Sequence, residues 1–286
     1  MTSLATLLSL DRPAEELFRS TVPGAPKGRL FGGHILGQAV MAGLMTVDDD
    51  RPAHSVHAHF LSAGANPELV DYAVTPLRDG RSFSTRQVLA RQKGRVLLSA
   101  VISCHRPEPG LSFQHDMPQV PGPEGLRNEN EIREEALAEE GIDWVGSLST
   151  KNLKMELRPV TPRNFARPQI MAPEQHFWLK PLDDVPADPR LRQAMLAYFS
   201  DAMLLSTTLL PHGIYWSTTP LDNMSLDHSM WIHAVPDYSD WLLWTIDTGW
   251  SGGARGLARG RFFSRDGTLL ATAMQEGLIR PRARAG

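Results

Sequence analysis

The chain has 286 residues, 42% of them hydrophobic and 21% charged, and a formal net charge of −3. That balance supplies core for one large or two small domains and leaves no bulk electrostatic attraction to nucleic acid or to an anionic membrane surface. The single cysteine, Cys104, excludes an internal disulfide framework and suits a reducing compartment, where it packs as a small hydrophobe.

The first residues, Met1 to Phe18, lack a basic leading region and meet Asp11 and Arg12 after a short apolar stretch. They predict a short amphipathic helix rather than an export signal or a membrane span, and with it a cytoplasmic protein. Pro23 to Arg29 then leads into Phe31-Gly32-Gly33, after which His34 to Val47 is apolar nearly all round, with Gly37 and Ala42 leaving room for a close neighbour. This pattern predicts a helix buried on every side. Strands are predicted at Ser55 to Leu61, Leu69 to Leu77, Ser82 to Gln92 and Val96 to Cys104, joined at Ala63-Gly64, Asp79-Gly80 and Lys93-Gly94.

Prolines cluster from Pro107 to Pro123, Glu129 to Gly141 is acidic with helical character, and Met155 to Ile170 reads as irregular or strand structure. These divide the chain into an N-terminal unit (1–106), a linker (107–170) and a C-terminal unit (171–286). The second unit repeats the plan of the first, with a strand near His176 to Leu179 and a helix over Leu191 to Leu210. Strands are predicted over Ser229 to His233, Trp241 to Thr248, Gly256 to Ser264 and Leu269 to Ile279. The helix is broken by Asp201 and carries Ser and Thr, which marks a core element rather than a span. The basic end, Arg280 to Gly286, reads as frayed.

One near-repeat ties the halves together. Arg86 to Ser103, RQVLARQKGRVLLSAVIS, returns as RGRFFSRDGTLLATAMQE at Arg259 to Glu276. In both copies apolar segments flank a two-residue turn of the kind that closes a β-hairpin. Shared positions read as scaffold, whereas Gln275, which stands where the first copy has Ile102, needs its own explanation. A helix wrapped by an antiparallel meander, occurring twice, is an α+β double hotdog.

With that plan in place, Leu30-Phe31-Gly32-Gly33-His34-Ile35-Leu36-Gly37-Gln38-Ala39, Leu77-Arg78-Asp79-Gly80-Arg81-Ser82-Phe83-Ser84, Leu226-Asp227-His228-Ser229-Met230-Trp231 and Met274-Gln275-Glu276-Gly277 resemble, in order, the bacterial acyl-CoA thioesterase II (TesB-like) family. The resemblance implies hydrolysis of an acyl-CoA substrate by a water held between an Asp, a Thr and a Gln, which fall here on Asp201, Ser225 and Gln275. Ser225 departs from the usual Thr, keeping the hydroxyl but losing the methyl that restricts its rotamer. Gly32 and Gly33 are expected at the substrate through a backbone N–H at a helix start; His34, where the family commonly has Gln, is the third expected contact. The resemblance also implies a homo-oligomer, a dimer or higher, for which the Trp241 to Trp250 stretch could supply the surface.

The residues give partial support of their own. Asp201 lies in an apolar run, Tyr198 to Leu205, where a carboxylate is costly unless hydrogen-bonded; capping a helix that starts there is the plainer alternative. Gln275 reads equally as a satisfied strand amide, and Ser225 as a turn serine. His54, His57, His59 and His105 show no metal-ligand spacing, so neither metal nor cofactor is expected. Asp227 and His228 read as support beside the site. Arg78, Arg81 and Arg255 are candidates for the CoA phosphates, and Met41, Leu44, Met45, Met195, Met203 and Phe199 for the acyl tunnel. Two competing functions remain: a non-catalytic acyl-CoA-binding protein, and an enoyl-CoA hydratase, whose Asp-x-x-x-x-His signature is not found around Asp201.

Overall fold

In a computed structural model that describes residues 2–141 and 153–282, the chain begins with a single helical turn, α1 (Leu4–Leu8), followed by β1 (Leu10–Ala14) and β2 (Leu17–Ser20). The amphipathic helix expected over the first 18 residues is therefore mostly a hairpin. Its second strand alternates buried Phe18 and Ser20 with exposed Arg19, and it pairs with β6 (Asp71–Asp79). Pairing on a sheet edge outweighs the local helical pattern, and Pro13 is accommodated on the outermost strand, where its missing N–H costs nothing.

The first unit continues with a two-residue β3 (Gly28–Arg29), the helix α2 (Gly32–Leu44), β4 (Ala53–Phe60), β5 (Ala65–Asn66), β7 (Phe83–Gln92) and β8 (Arg95–His105). The connecting stretch contains α3 (Glu129–Glu139), and its later part supplies β9 (Met155–Pro159), which pairs with β10 (Glu174–Pro181) at the far sheet edge. Residues 142–152 of that stretch, and 283–286 of the basic end, lie outside the described residues. The second unit then places α4 (Pro189–Ser200), α5 (Leu204–Thr207), β11 (Leu221–Ser225), β12 (Asp227–Ile232), β13 (Leu242–Gly252), β14 (Arg255–Ser264) and β15 (Leu269–Pro281).

Among the described residues one antiparallel sheet runs β1-β2-β6-β7-β8-β4-β12-β15-β14-β13-β10-β9, with β11 alongside β15. The order reads the same outward from its centre: β4-β8-β7-β6-β2-β1 on one side and β12-β15-β14-β13-β10-β9 on the other. The halves join where β4 pairs with β12, from Ser55 opposite Trp231 to His59 opposite Asp227. This is the double hotdog, with α2 and α4 as its two central helices.

Those helices touch at glycines. A Cβ on Gly33 would lie 2.3 Å from the Tyr198 carbonyl oxygen, and one on Gly37 would lie 2.8 Å from that of Ala194. Advancing along α2 thus retreats along α4, and the backbones approach closely because two side chains are missing. The start of α2 is thereby fixed against the end of α4.

The two hairpins of the repeat close differently. Lys93 and Gly94, at φ 48° and 81°, form a two-residue turn between paired Gln92 and Arg95. The second copy closes instead over Arg265 to Thr268. Ser264 Oγ donates to the Asp266 carboxylate at 2.5 Å and the Ser264 N–H bonds the Thr268 carbonyl at 2.9 Å, so the Asp side chain organises a longer loop than the spacing implied. The inward face survives the change: Leu98, Ala100 and Ile102 are buried on β8, and Ala271, Ala273 and Gln275 on β15.

The helix expected to run to Leu210 breaks after Ser200. Met203 takes a left-handed φ of 69°, and the freed carbonyls find donors elsewhere. The Ala202 carbonyl accepts from Trp244 Nε1 at 3.0 Å, while the Met203 carbonyl starts α5, accepting from the Thr207 N–H at 3.1 Å and also from Ser206 Oγ and Thr207 Oγ1, each at 2.9 Å. Trp244 itself stacks on Phe262 at 3.8 Å, and Gly260 leaves it space.

If the glycine contacts set the helix spacing, Gly37→Ala should destabilise the fold by about 1–3 kcal/mol through forced separation of two backbones. Gly249→Ala, where an added Cβ meets nothing within 4 Å, should change stability by less than about 0.5 kcal/mol. Urea unfolding of the two variants checks this, and equal effects would contradict it.

Candidate active site

Because α4 stops at Ser200, Asp201 sits at its C-terminal cap with its side chain projecting towards the start of α2. Its Oδ2 accepts the Gly33 N–H at 2.8 Å, and its Oδ1 accepts from Ser225 Oγ at 3.3 Å. Gln275 Nε2 in turn donates to Ser225 Oγ at 2.5 Å. Residues separated by 24 and 50 positions are thus joined in one row because β11 and β12 both pair with β15. Gly32 contributes by its lack of a side chain, since a Cβ there would lie 2.7 Å from Asp201 Oδ2. The structure brings together Asp201, Ser225, Gln275, Gly32 and Gly33.

The row opens on a cavity of about 240 Å³. Phe31, Ile35, Phe60, Met203 and Leu205 supply apolar wall, and Asp201, Ser225 and Gln275 are the polar groups at its floor. Asp201 is half-buried and lines this cavity. Burial pushes its pKa above the ordinary 3.8, opposed in smaller measure by the neighbouring His228, the nearby Gln275 amide, and the bonds from Gly33 and Ser225.

Several sequence expectations are corrected. His34 does not line the cavity; it is 3% exposed, its Nε2–H donates to the Leu7 carbonyl at 3.2 Å, and burial lowers its pKa to about 4. It ties α1 to α2. The Gly33 N–H is occupied by Asp201, whereas Gly32, the first residue of α2, lines the cavity. Asp201 caps the end of a helix, not the start of one. Of the tunnel candidates only Met203 reaches the cavity, while Met195 and Phe199 are core. Arg78, Arg81 and Arg255 are not among the lining residues; Arg29 and Arg133 are, the latter from the connecting helix α3, and only folding places them there. In the tryptophan-rich stretch Trp244 is wholly buried and Trp250 is 46% exposed.

The double hotdog thus sets an acid–hydroxyl–amide row where its two central helices meet, at the floor of a cavity, and the proteins it is similar to are thioesterases. The description "acyl-CoA thioesterase" matches residues 147–278, and "acyl-CoA thioesterase N-terminal domain" matches residues 21–105. Acyl-coenzyme A thioesterase 8 of Homo sapiens is 36% identical over 97% of this chain and 88% of its own length. Acyl-CoA thioesterase 2 of Haemophilus influenzae is 33% identical over 98% of both chains. The crystal structure of acyl-CoA thioesterase II TesB2 from Mycobacterium marinum superposes with a TM-score of 0.78 at 31% identity, covering 99% of each chain. The chain belongs to the acyl-CoA thioesterase II, TesB-like family, and is a thioester hydrolase.

The raised pKa of Asp201 has a consequence for stability. A carboxyl whose pKa rises on folding holds its proton more tightly in the native state, so the cost of ionising it is absent below 3.8 and complete above the raised value. Asp201→Asn removes that cost while keeping an acceptor for Gly33 and offering Ser225 an N–H. Thermal melts should show the variant at least as stable as wild type at pH 7, with the difference shrinking as pH falls; a variant that melts lower at pH 7 would contradict the burial argument.

Proposed function

We propose that this thioesterase hydrolyses fatty acyl-CoA to free acid and CoA with Asp201 as general base. A water held by Asp201, Ser225 and Gln275 gives its proton to the carboxylate as its oxygen attacks the thioester carbon. The C–S bond then breaks, and the proton passes to the departing CoA thiolate. The observation that carries this reading is the row itself: a carboxylate with a raised pKa, bonded to a hydroxyl that is bonded to an amide, at the floor of an apolar cavity. The Gly32 N–H, at the positive end of the α2 dipole, is the donor we assign to the thioester oxygen, since the carboxylate holds that of Gly33.

Two other readings are weaker. A binding protein without chemistry has no need of a destabilising carboxylate at the cavity floor. A hydratase would need a histidine facing the substrate, but His212 bonds Ser251 Oγ at 2.8 Å and His228 lies behind Gln275.

Thiol release from purified acyl-CoAs of increasing chain length tests the proposal. Asp201→Asn should lower turnover by about 10² to 10⁴ while acyl-CoA binding persists. Gln275→Ala should cost less, and the double variant should be less impaired than the product of the single effects, because the groups act on one water. Ser225→Ala should lose roughly tenfold and Ser225→Thr should stay active. A folded Asp201→Asn protein with near wild-type turnover refutes the assignment, as does a serine-linked acyl intermediate detected by mass spectrometry.

We also propose a homo-oligomer, supported by the apolar side chains that the central strands leave on the outer sheet face: Val101 on β8 and Trp231 on β12, each 36% exposed, with His57 edge-on to Trp231. Light scattering should give at least twice the chain mass of 31.7 kDa; a particle of 31.7 kDa would dismiss it.

A further inference from the structure

The row at the cavity floor does not end at Gln275. On the side of Gln275 opposite Ser225 lies His228 of β12, which is 0% exposed, does not line the cavity and has both ring nitrogens engaged. Its Nδ1 is 2.9 Å from Gln275 Oε1, and its Nε2 is 2.9 Å from Ser200 Oγ. Ser200 is the last residue of α4, directly before Asp201, so the row leaves the end of that helix through Asp201 and returns to it through His228 and Ser200.

The direction of each bond in this loop follows from one fact: an ionised carboxylate only accepts. Ser225 therefore gives its single proton to Asp201 Oδ1. Its oxygen must then accept from Gln275, which places the amide NH₂ towards Ser225 and Oε1 towards the imidazole. Oε1 cannot donate, so Nδ1 carries a proton; a neutral ring then accepts at Nε2 from Ser200, whereas an imidazolium would donate there and leave the Ser200 proton to the Ala197 carbonyl, with Gln275 held the same way in both. A competing arrangement exists, because the Ala197 carbonyl lies 2.8 Å from Ser200 Oγ. Were Ser200 to donate there beside a neutral ring, the ring proton would move to Nε2, Nδ1 would need a donor, and Gln275 would turn over. Its Oε1 would then compete with Asp201 for the Ser225 proton.

We infer that His228, as the Nδ1–H tautomer, is a positioning residue that locks the amide of Gln275 with its NH₂ towards Ser225 and the catalytic water. The inference rests on the proposed role of Gln275. It assigns His228 no contact with substrate and no proton transfer in the reaction. The orienter of the water is in this way held by a group that never meets the water, and Ser200 ties that group to the helix bearing the base.

Two measurements test it. In ¹⁵N-histidine-labelled protein, long-range ¹H–¹⁵N correlations should show His228 as the neutral Nδ1–H tautomer; the Nε2–H tautomer would overturn the inference whether or not any variant folds. In thiol-release kinetics His228→Leu should lower kcat by about tenfold or more with KM changed far less. His228→Asn, whose Nδ2 can stand where Nδ1 stood, should recover part of the loss. The same His228→Leu substitution in a Gln275→Ala background should have little further effect on kcat. Equal losses in both backgrounds, or full turnover in His228→Leu while Gln275→Ala is impaired, would remove His228 from the mechanism and leave the proposed site standing. Full turnover in Gln275→Ala itself would refute the role of Gln275 and this inference with it.

Discussion

The bond from the Gly33 N–H to Asp201 is the contact on which the site depends. It joins the first turn of one central helix to the broken end of the other, and so converts the packing of two repeats into a fixed position for a carboxylate. Three features elsewhere serve it. Gly33 and Gly37 let the helices approach until the distance closes. The left-handed Met203 ends α4 where the acid can turn towards α2, and Trp244 holds the carbonyl that this break releases. A helix N-terminus is a favourable place for negative charge, which is why a carboxylate can be tolerated there beside an apolar cavity.

The duplication explains how the site is shared. Each half contributes a helix and a six-strand arm of the sheet, but they play different parts. The first half supplies the bare backbone of Gly32 and Gly33, where any side chain would strike the acid or the facing helix. The second supplies every polar side chain of the row. At the position where the first repeat keeps Ile102 in its core, the second has Gln275, and that exchange of a hydrocarbon for an amide brings the strand into the polar row with Ser225. Neither half alone contains both the acid and its N–H partner.

Chemistry and stability pull against each other at Asp201. Burial raises its pKa and makes its charged form costly at neutral pH, and a raised pKa is also what the proposed role as general base would use. The hydrogen bonds from Gly33 and Ser225 recover part of that cost without neutralising the charge. Burial likewise lowers the pKa of His228, with the neighbouring Asp201 acting in the opposite sense.

The sequence alone determined the elements with strong local patterns. The alternation of β4, β6, β7 and β8 set their extents to within a few residues, and the all-round apolarity of α2 marked it as central. Asp201 stood out because a carboxylate in an apolar run must have partners, and Gln275 because its repeat counterpart is Ile102. Local signals failed where a distant partner decided the outcome. The N-terminal segment pairs with β6 instead of coiling, the second hairpin lengthens around Asp266, and α4 ends at an acid because Trp244 and Gly33 receive what the break exposes. His34 looked like a site residue by position and is buried against the Leu7 carbonyl, whereas His228, read as support beside the site, lies between Gln275 and Ser200. Which way a side chain faces across a helix start, and which donor meets which acceptor, are set by contacts between residues from 24 to 168 positions apart; only the tertiary structure could decide them, since a hydrogen bond is a relation between two groups and the sequence names only one at a time.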